Sequence, residues 1–156
     1  MDKSLNSRKP VKGTDYIGLG CGAMVFDCEG KVLLGKRGAG CRNEHGLWDF
    51  PGGGVDFNEK CEVAVRREVR EEFGIRIKVL ELLHVVDHIL REEGQHWVCV
   101  TYVARYISGD VKILEPKKCE EFRWFDLNEI DPEILTITSR KNLKDYIDKF
   151  GYTAPK

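Results

Sequence analysis

The first third of the chain alternates between short apolar runs and turn residues. Residues 16–26 are small and apolar, residues 27–30 read Asp-Cys-Glu-Gly, and residues 31–37 return to β-prone positions. Two β-prone runs joined by turn residues predict a hairpin. A glycine-containing loop over residues 38–46 and a short apolar segment over residues 47–50 follow the hairpin.

The pattern then changes to a helical period. Pro51 and the glycines at 52–54 interrupt the strands, and Asn58 is a candidate cap for a helix that ends near Phe73. Gly74 suits the left-handed position that follows a helix end. Asparagine at position 58 tolerates left-handed geometry better than most residues.

The rest of the chain is β-rich and closes with a second helix. Residues 75–89, 97–107 and 121–125 read as strands, and Asp131-Pro132 is predicted to begin the helix. The apolar stripe of this helix consists of Leu135, Leu143, Tyr146, Ile147 and Phe150. The order of β-rich, helical, β-rich and helical segments favours an α/β fold with helices packed on a mixed sheet.

Length and composition indicate a single globular domain. The chain has 156 residues, 42% hydrophobic and 33% charged, which suffices for one core. Residues 1–14 are polar, so we predict a flexible N-terminal tail there and one domain over residues 15–152. A net charge of −1 favours neither nucleic acid nor a membrane surface as partner, but it permits small anionic substrates.

The chain also lacks the patterns of exported and membrane-spanning proteins. No apolar run is long enough to cross a bilayer, and residues 1–12 lack the apolar stretch of a secretory signal, so we expect a cytoplasmic protein. The six cysteines are scattered without a C-x-x-C pair. Reduced thiols are therefore favoured over disulfides or a zinc site.

Three carboxylates share one face of the predicted central helix. Glu68, Glu71 and Glu72 fall within an arc of roughly 100° on the helix wheel. Carboxylates this close repel one another, and a hard divalent cation such as Mg²⁺ would remove the repulsion. The competing interpretation is a solvated helix face, with salt bridges to the arginines that lie between the glutamates.

The residues around these carboxylates carry a family resemblance. Residues 53–75 read Gly53-x5-Glu59-x7-Arg67-Glu68-Val69-x-Glu71-Glu72-x-Gly74-Ile75. This segment resembles the Nudix box and meets every specified position of it. The upstream motifs Gly35-Lys36-Arg37 and Leu47-Trp48-x-x-Pro51-Gly52-Gly53 are also similar to this family. The resemblance covers about residues 16–150 and implies a Nudix-type α/β/α sandwich around a mixed β-sheet.

The resemblance also implies a catalytic metal site. Its expected ligands are Glu68, Glu71, Glu72 and the backbone carbonyl of Gly52, with Mg²⁺ as the cofactor and Mn²⁺ as an alternative. The same three glutamates are the expected catalytic residues, and Glu68 is the first choice for general base. The residues expected to brace the loop against the helix are Gly53, Glu59, Arg67 and Gly74.

Residues outside the box are candidates for substrate contact. Arg37 and Glu120 are assigned to substrate binding, and Glu120 also belongs, with Glu115 and Glu121, to the candidates for a downstream catalytic acid. Surface charge is the competing interpretation of each. A second set consists of His84, His88 and His96, which form either a metal or acid–base cluster or separate structural sites. Trp97 is either a core residue or part of a base-binding surface.

The leading functional hypothesis is hydrolysis of a (deoxy)nucleoside triphosphate to nucleoside monophosphate and pyrophosphate. One alternative is an ADP-ribose or nucleotide-sugar pyrophosphatase, and another is a non-catalytic nucleotide-binding Nudix module. The retained box carboxylates argue against the non-catalytic module. The expected partner is a small-molecule nucleotide, with no membrane or nucleic acid. The oligomeric state stays open, and a homodimer is one option.

Overall fold

One mixed sheet with a helix on each face organises the protein. The computed structural model describes residues 8–156. The strands are β1 (Gly18–Phe26), β2 (Val32–Arg37), β3 (Trp48–Asp49), β4 (Gly52–Gly54), β5 (Arg76–Leu90), β6 (Gln95–Ser108) and β7 (Cys119–Phe125). The helices are α1 (Cys61–Phe73) and α2 (Ile137–Phe150), and short 3₁₀ turns span Leu127–Glu129 and Pro132–Ile134.

The strand order leaves an opening beside β1. The main path runs β3-β2-β1-β6-β5, while β4 pairs with β1 and β7 pairs with β2. Strands β1 and β6 are parallel over the whole length of β1, and the other pairs are antiparallel. Strand β1 meets β2 at Phe26 and Val32, whereas its first half is flanked by β4. The two halves of the sheet therefore separate here, and the candidate site occupies the gap.

Side-chain alternation along β1 divides the interior into two cores. Cys21, Ala23 and Val25 pack with the buried face of α1, and Met24 and Phe26 pack with that of α2. Successive strand residues point to opposite faces, so one buried strand supplies both layers. The predicted α/β/α sandwich around a mixed sheet is confirmed.

The start of α1 differs from the sequence prediction. The helix begins at Cys61 after Lys60, whose side chain makes no capping hydrogen bond. Asn58 lies before the helix with φ of +66°, so its role is to form the turn and not to cap. The predicted end is confirmed, because Gly74 follows the helix with φ of +72°.

The start of α2 is also later than predicted. Asp131 caps only the 3₁₀ turn Pro132–Ile134, accepting from the N–H of Glu133. The helix itself follows Thr136, whose hydroxyl accepts from the backbone N–H of Ser139. A proline at a first-turn position suits a 3₁₀ turn as well as a helix, so the sequence did not separate the two.

Part of the predicted tail contacts the domain. Residues 1–7 lie outside the described residues, so the prediction of a flexible tail is not addressed there. Lys12 Nζ donates to the Val55 carbonyl at 2.6 Å, and the Gly13 carbonyl accepts from the His96 N–H at 2.8 Å. Residues 12 and 13 are therefore attached to the end of the sheet that borders the site.

Two further observations concern the environment of the chain. Over residues 8–156, no helix has the length and apolar character required to cross a membrane. All six cysteines are free thiols in the structure.

The close approach of β4 to β1 gives a test of the fold. A Cβ atom at Gly52 would lie 2.1 Å from the Cys21 carbonyl oxygen, whereas one at Gly22 would lie 3.4 Å from the Pro51 oxygen. We expect Gly52→Ala to destabilise the protein by about 2 kcal/mol or more, because backbone has to move, and Gly22→Ala to cost much less. Urea unfolding of both variants measures this, and equal stabilities would contradict the close approach.

Candidate active site

Strand β4 lies directly against the carboxylate face of α1. A Cβ atom at Gly53 would stand 2.3 Å from the carboxyl carbon of Glu68, so only glycine leaves room for this side chain. The backbone N–H of Gly52 donates to Glu72 Oε2 at 3.1 Å. The glycine strand therefore contacts two of the carboxylates that the box motif singled out.

Arg67 joins this helix face to the preceding loop. Its guanidinium donates to Glu59 at 2.8 Å, to the Gly54 carbonyl at 3.0 Å, to Glu68 at 2.8 Å and to Glu71 at 3.1 Å. The planar guanidinium, with donors spread over its edges, can hold several acceptors in one geometry. These contacts fit the bracing role that the resemblance implied for Arg67 and Glu59.

The carboxyl groups of α1 and of the loop before it differ in the direction of their pKa shifts. Hydrogen bonds from Arg67 lower the pKa of Glu59 to about 2. Burial raises the pKa of Glu68, although Arg67 opposes the shift. Burial raises the pKa of Glu72 well above its ordinary value, the N–H of Gly52 opposes the shift, and the neighbouring Glu68 adds to it. A buried carboxyl beside other carboxyls resists losing its proton.

Among the downstream acids, Glu115 is one whose charge acts on a box carboxylate. Its Oε1 forms an ion pair with Lys118 at 2.9 Å, its Oε2 is buried, and its charge contributes to raising the pKa of Glu72. Glu120 is exposed beside Gly38 and does not line the cleft described below. Its predicted part in substrate binding stays a prediction.

These acids fit a hard divalent cation, although they do not form a complete site. Within residues 8–156, no three His, Cys, Asp or Glu side chains converge as a metal-binding group. Glu71 is half-exposed and turned toward Arg67. In the same range, Glu115 Oε2 is buried without a hydrogen-bond partner, and Glu72 has a raised pKa. A cation bound here would compensate both carboxyl groups, so the donors suit a hard divalent cation.

Of these carboxylates, Glu72 lines a cleft of about 470 Å³ that extends through the gap in the sheet. Glu72 and Gly52–Gly54 line one end. Trp97, Cys99 and Thr101 of β6 line the other end, on the α2 side of the sheet. A volume of this size suits a nucleotide-sized ligand.

Trp97 is both a packing residue and a wall of the cleft. Cβ atoms at Gly13 and Gly18 would lie 2.3 and 2.4 Å from its ring, so these two glycines allow the backbone to pack against the indole. The guanidinium carbon of Arg42 lies 4.6 Å from the ring centre. Trp97 is therefore both a core residue and part of the cleft surface.

Arg37 lines the cleft, but its guanidinium is already engaged. It donates to Asp49 at 2.9 Å and to the Asn43 side-chain and backbone oxygens at 2.9 and 3.1 Å. These contacts hold the loop of residues 38–46 over the cleft. Phosphate binding by Arg37 stays a prediction.

The three histidines of the β5–β6 region do not gather into one cluster. Each faces a different carboxylate, in the pairs His84–Asp145, His88–Glu44 and His96–Asp87. His84 and His88 lie on β5, whose pairing with β6 shifts register between Leu82 and His84. The structural interpretation of separate sites is therefore the one that the described residues support.

Several cleft residues had no signal in the sequence. They are Asn43, Glu44, Gln95, Thr138 and Asn142. These residues come from a loop, a strand end and α2, and single polar residues at such positions match no spacing motif. The unusual backbone of Glu44, with φ of +50°, is visible only in the structure.

Comparisons with known proteins agree with this geometry. The family described as NUDIX domain matches residues 17–146. An ADP-ribose pyrophosphatase of Methanocaldococcus jannaschii is 34% identical over 79% of this chain and 69% of its own length. An RNA pyrophosphohydrolase of Gluconacetobacter diazotrophicus is 47% identical over 68% of this chain and 75% of its own length.

A solved structure extends the comparison to the fold. The MutT NUDIX hydrolase of Burkholderia pseudomallei superposes with a TM-score of 0.76 at 40% identity, covering 83% of this chain and 98% of that chain. Fold and family together define a hydrolase that acts on phosphoanhydride bonds. The chain belongs to the Nudix family and is a pyrophosphohydrolase.

The low pKa of Glu59 predicts how stability depends on pH. Its pKa falls from 4.5 to about 2 on folding, so its contribution is present above pH 4.5 and is lost as the pH falls toward 2. We expect Glu59→Gln to lower the Tm at pH 7, with the difference from wild type shrinking on acidification. Glu62→Gln, which removes an exposed ion pair with Arg66, is the matched control. A pH-independent difference for Glu59→Gln would disprove the role of this ion pair.

Proposed function

We propose that the protein hydrolyses a nucleoside triphosphate to nucleoside monophosphate and pyrophosphate. The observation that carries the proposal is the continuity of the cleft. One cavity joins Glu72 and the glycine strand β4 to a polar pocket at Trp97 and Asn142. The first end suits a polyphosphate, and the second end has the aromatic and amide groups that recognise a base.

The basic residues of the cleft wall support a substrate with several negative charges. They are Lys12, Lys36, Arg37, Arg42 and Lys118. Lys12 lies beside the glycine strand, where a Cβ atom at Gly54 would be 3.6 Å from its Nζ. Lysines at this end can neutralise phosphate oxygens that a cation does not reach.

The residues that would hold Mg²⁺ are Glu68, Glu71, Glu72 and the Gly52 carbonyl. When bound, the cation would neutralise phosphate oxygens and lower the pKa of a water molecule. Glu71 would have to leave Arg67, which retains Glu59 and the Gly54 carbonyl as partners. Mn²⁺ offers a similar preference for oxygen ligands.

Two glutamates are the candidates for moving the proton of the attacking water. Glu68 is our first choice, because its raised pKa brings a basic carboxylate closer to neutral pH. Glu115 is the downstream candidate, since its Oε2 is buried and free of a hydrogen-bond donor within residues 8–156. The attack breaks a phosphoanhydride P–O bond and releases pyrophosphate from the nucleoside monophosphate.

ADP-ribose is the second candidate substrate. It is favoured by the relative from Methanocaldococcus jannaschii, whose name specifies this activity. The relative from Gluconacetobacter diazotrophicus adds RNA 5′ ends to the substrates that require testing. Both reactions would use the same carboxylates and differ in what occupies the pocket at Trp97.

The proposed function is tested by product analysis with a substrate panel. The panel contains nucleoside triphosphates, ADP-ribose and a short 5′-triphosphorylated RNA, each with Mg²⁺, with Mn²⁺ and with a chelator. We expect metal-dependent pyrophosphate and nucleoside monophosphate from a triphosphate. Cleavage confined to ADP-ribose or RNA would overturn the proposed substrate while retaining the reaction type.

Substitutions on α1 test the assignment of the carboxylates. We expect Glu72→Gln and Glu68→Gln each to lower kcat by about 100-fold or more, because both would contribute to the metal and proton chemistry. Glu62→Gln, on the exposed side of the same helix, is expected to keep full activity. Wild-type turnover by Glu72→Gln would show that the reaction does not depend on this carboxylate.

A further inference from the structure

An arginine covers the indole of Trp97 at the polar end of the cleft. The guanidinium carbon of Arg42 lies over the ring, 4.6 Å from its centre. The backbone at Gly13 and Gly18 packs against the same ring, and only 9% of Trp97 is exposed. A ligand that enters this end of the cleft therefore meets the Arg42 guanidinium and little of the indole itself.

Other polar groups do not engage the Arg42 guanidinium. Within residues 8–156, Arg42 forms no ion pair and no side-chain hydrogen bond, and it is exposed and lines the cleft. Arg37 lines the same cleft, but Asp49 and Asn43 occupy its guanidinium. A guanidinium without an acidic partner keeps both its charge and its planar face available to a ligand.

The loop holds Arg42 in place through its two neighbours in the chain. Cys41 Sγ donates to the Lys118 carbonyl at 3.1 Å. Asn43 is buried, and its Oδ1 accepts from Arg37 at 2.9 Å. Because both flanking residues are anchored, the backbone of Arg42 is fixed before a ligand arrives, which lowers the entropic cost of binding.

The indole is fixed at the same point. Gln95 Oε1 accepts from Trp97 Nε1 at 3.3 Å and from Asn43 Nδ2 at 3.0 Å, so one amide oxygen joins the ring to the loop. The indole N–H can only donate to Gln95, and Arg37 can only donate to Asn43, so these partners settle both amide orientations. Ring and guanidinium are therefore presented in one arrangement.

We propose that the Arg42 guanidinium is the surface on which the nucleobase of the substrate stacks, and that Trp97 is a positioning residue that supports it. Guanidinium planes stack on nucleobases, and such stacking tolerates any base because every base has a planar face. A base stacked on Arg42 would leave the polyphosphate to the other end of the cleft, which Glu72 and β4 line. This inference rests on the proposed function, because a nucleotide must occupy the cleft.

Three other roles for Arg42 predict different results. A phosphate contact depends on charge, so lysine would replace arginine. A guanidinium that only caps the indole would contribute to stability and leave the affinity for ligands unchanged. If the base displaced Arg42 and stacked directly on Trp97, the arginine would be an obstacle, and its removal would tighten binding.

Calorimetric titration with adenosine 5′-monophosphate tests the stacking without turnover. We expect Arg42→Ala to weaken binding by about 10-fold, because the contact between base and guanidinium is lost. Arg42→Lys keeps the charge but lacks the plane, so it is expected to recover little of the affinity. Wild-type affinity in either variant, or tighter binding by Arg42→Ala, would overturn the proposal. A wild type that does not bind the nucleotide would also overturn it.

Trp97→Leu tests whether the indole acts through Arg42. Without the ring the guanidinium loses its support, so we expect binding of the nucleotide to weaken by about 5-fold. Combining Trp97→Leu with Arg42→Ala should add little further loss, because both substitutions remove the same stack. Additive losses would show that Trp97 contacts the base by itself. Arg42 is exposed, so its variants provide the test if Trp97→Leu does not fold.

Two controls separate stacking from charge and from phosphate binding. Arg91→Ala removes a positive charge from an exposed position in the turn between β5 and β6, outside the lining of the cleft. This variant is expected to bind adenosine 5′-monophosphate like the wild type. Ribose 5-phosphate has the sugar and the phosphate without a base, so Arg42→Ala is expected to bind it like the wild type. An equal loss of affinity for both ligands would assign Arg42 to the phosphate and overturn the proposal.

The same measurements distinguish this proposal from the proposed function. Binding of the monophosphate requires no cleavage. If the enzyme cleaves no triphosphate but Arg42→Ala loses affinity for the nucleotide, only the proposed reaction fails. If Arg42→Ala releases pyrophosphate from triphosphates with the wild-type kcat/KM, the reaction stands and the stacking is overturned. Thermal melts establish that each variant is folded.

Discussion

The contact between the glycine strand β4 and helix α1 is the constraint on which the rest of the site depends. Glu68 occupies the space that a side chain at position 53 would fill, and Gly52 donates its N–H to Glu72. Arg67 fixes the distance between the two elements by holding Glu59 and the Gly54 carbonyl. Moving either element would separate the carboxylates from the strand end, and a metal site tolerates little such displacement.

This constraint has an electrostatic consequence. Acidic side chains are gathered where burial raises the pKa of Glu68 and Glu72, while Arg67 neutralises the outer part of the cluster. A site with more buried carboxyl groups than cationic partners is a poor contributor to stability but a good receptor for a divalent cation. The protein thus keeps local repulsion among the carboxylates that we propose as the metal site.

The second end of the cleft is built on different principles. Its walls come from β6, from the loop of residues 38–46 and from α2, which are far apart along the chain. Hydrogen bonds of Arg37 with Asn43, and of Glu44 Oε1 with the Ile137 N–H, connect these elements. Because the carboxylates and this end of the cleft lie on separate elements, substitutions at the far end can change the shape of the cleft without disturbing the carboxylates.

The sequence by itself determined the α/β class, the end of α1 at Gly74 and the family, because helix periodicity and the box spacing are local properties of the chain. It misjudged both helix starts, since Asn58 and Asp131 can serve a turn as well as a cap. Only the tertiary structure revealed that the charge of Glu115 helps to raise the pKa of Glu72 and that His84 lies between Asp145 and Asn142. These contacts join residues tens of positions apart, and their distances depend on how strands and helices pack, which no spacing along the chain encodes.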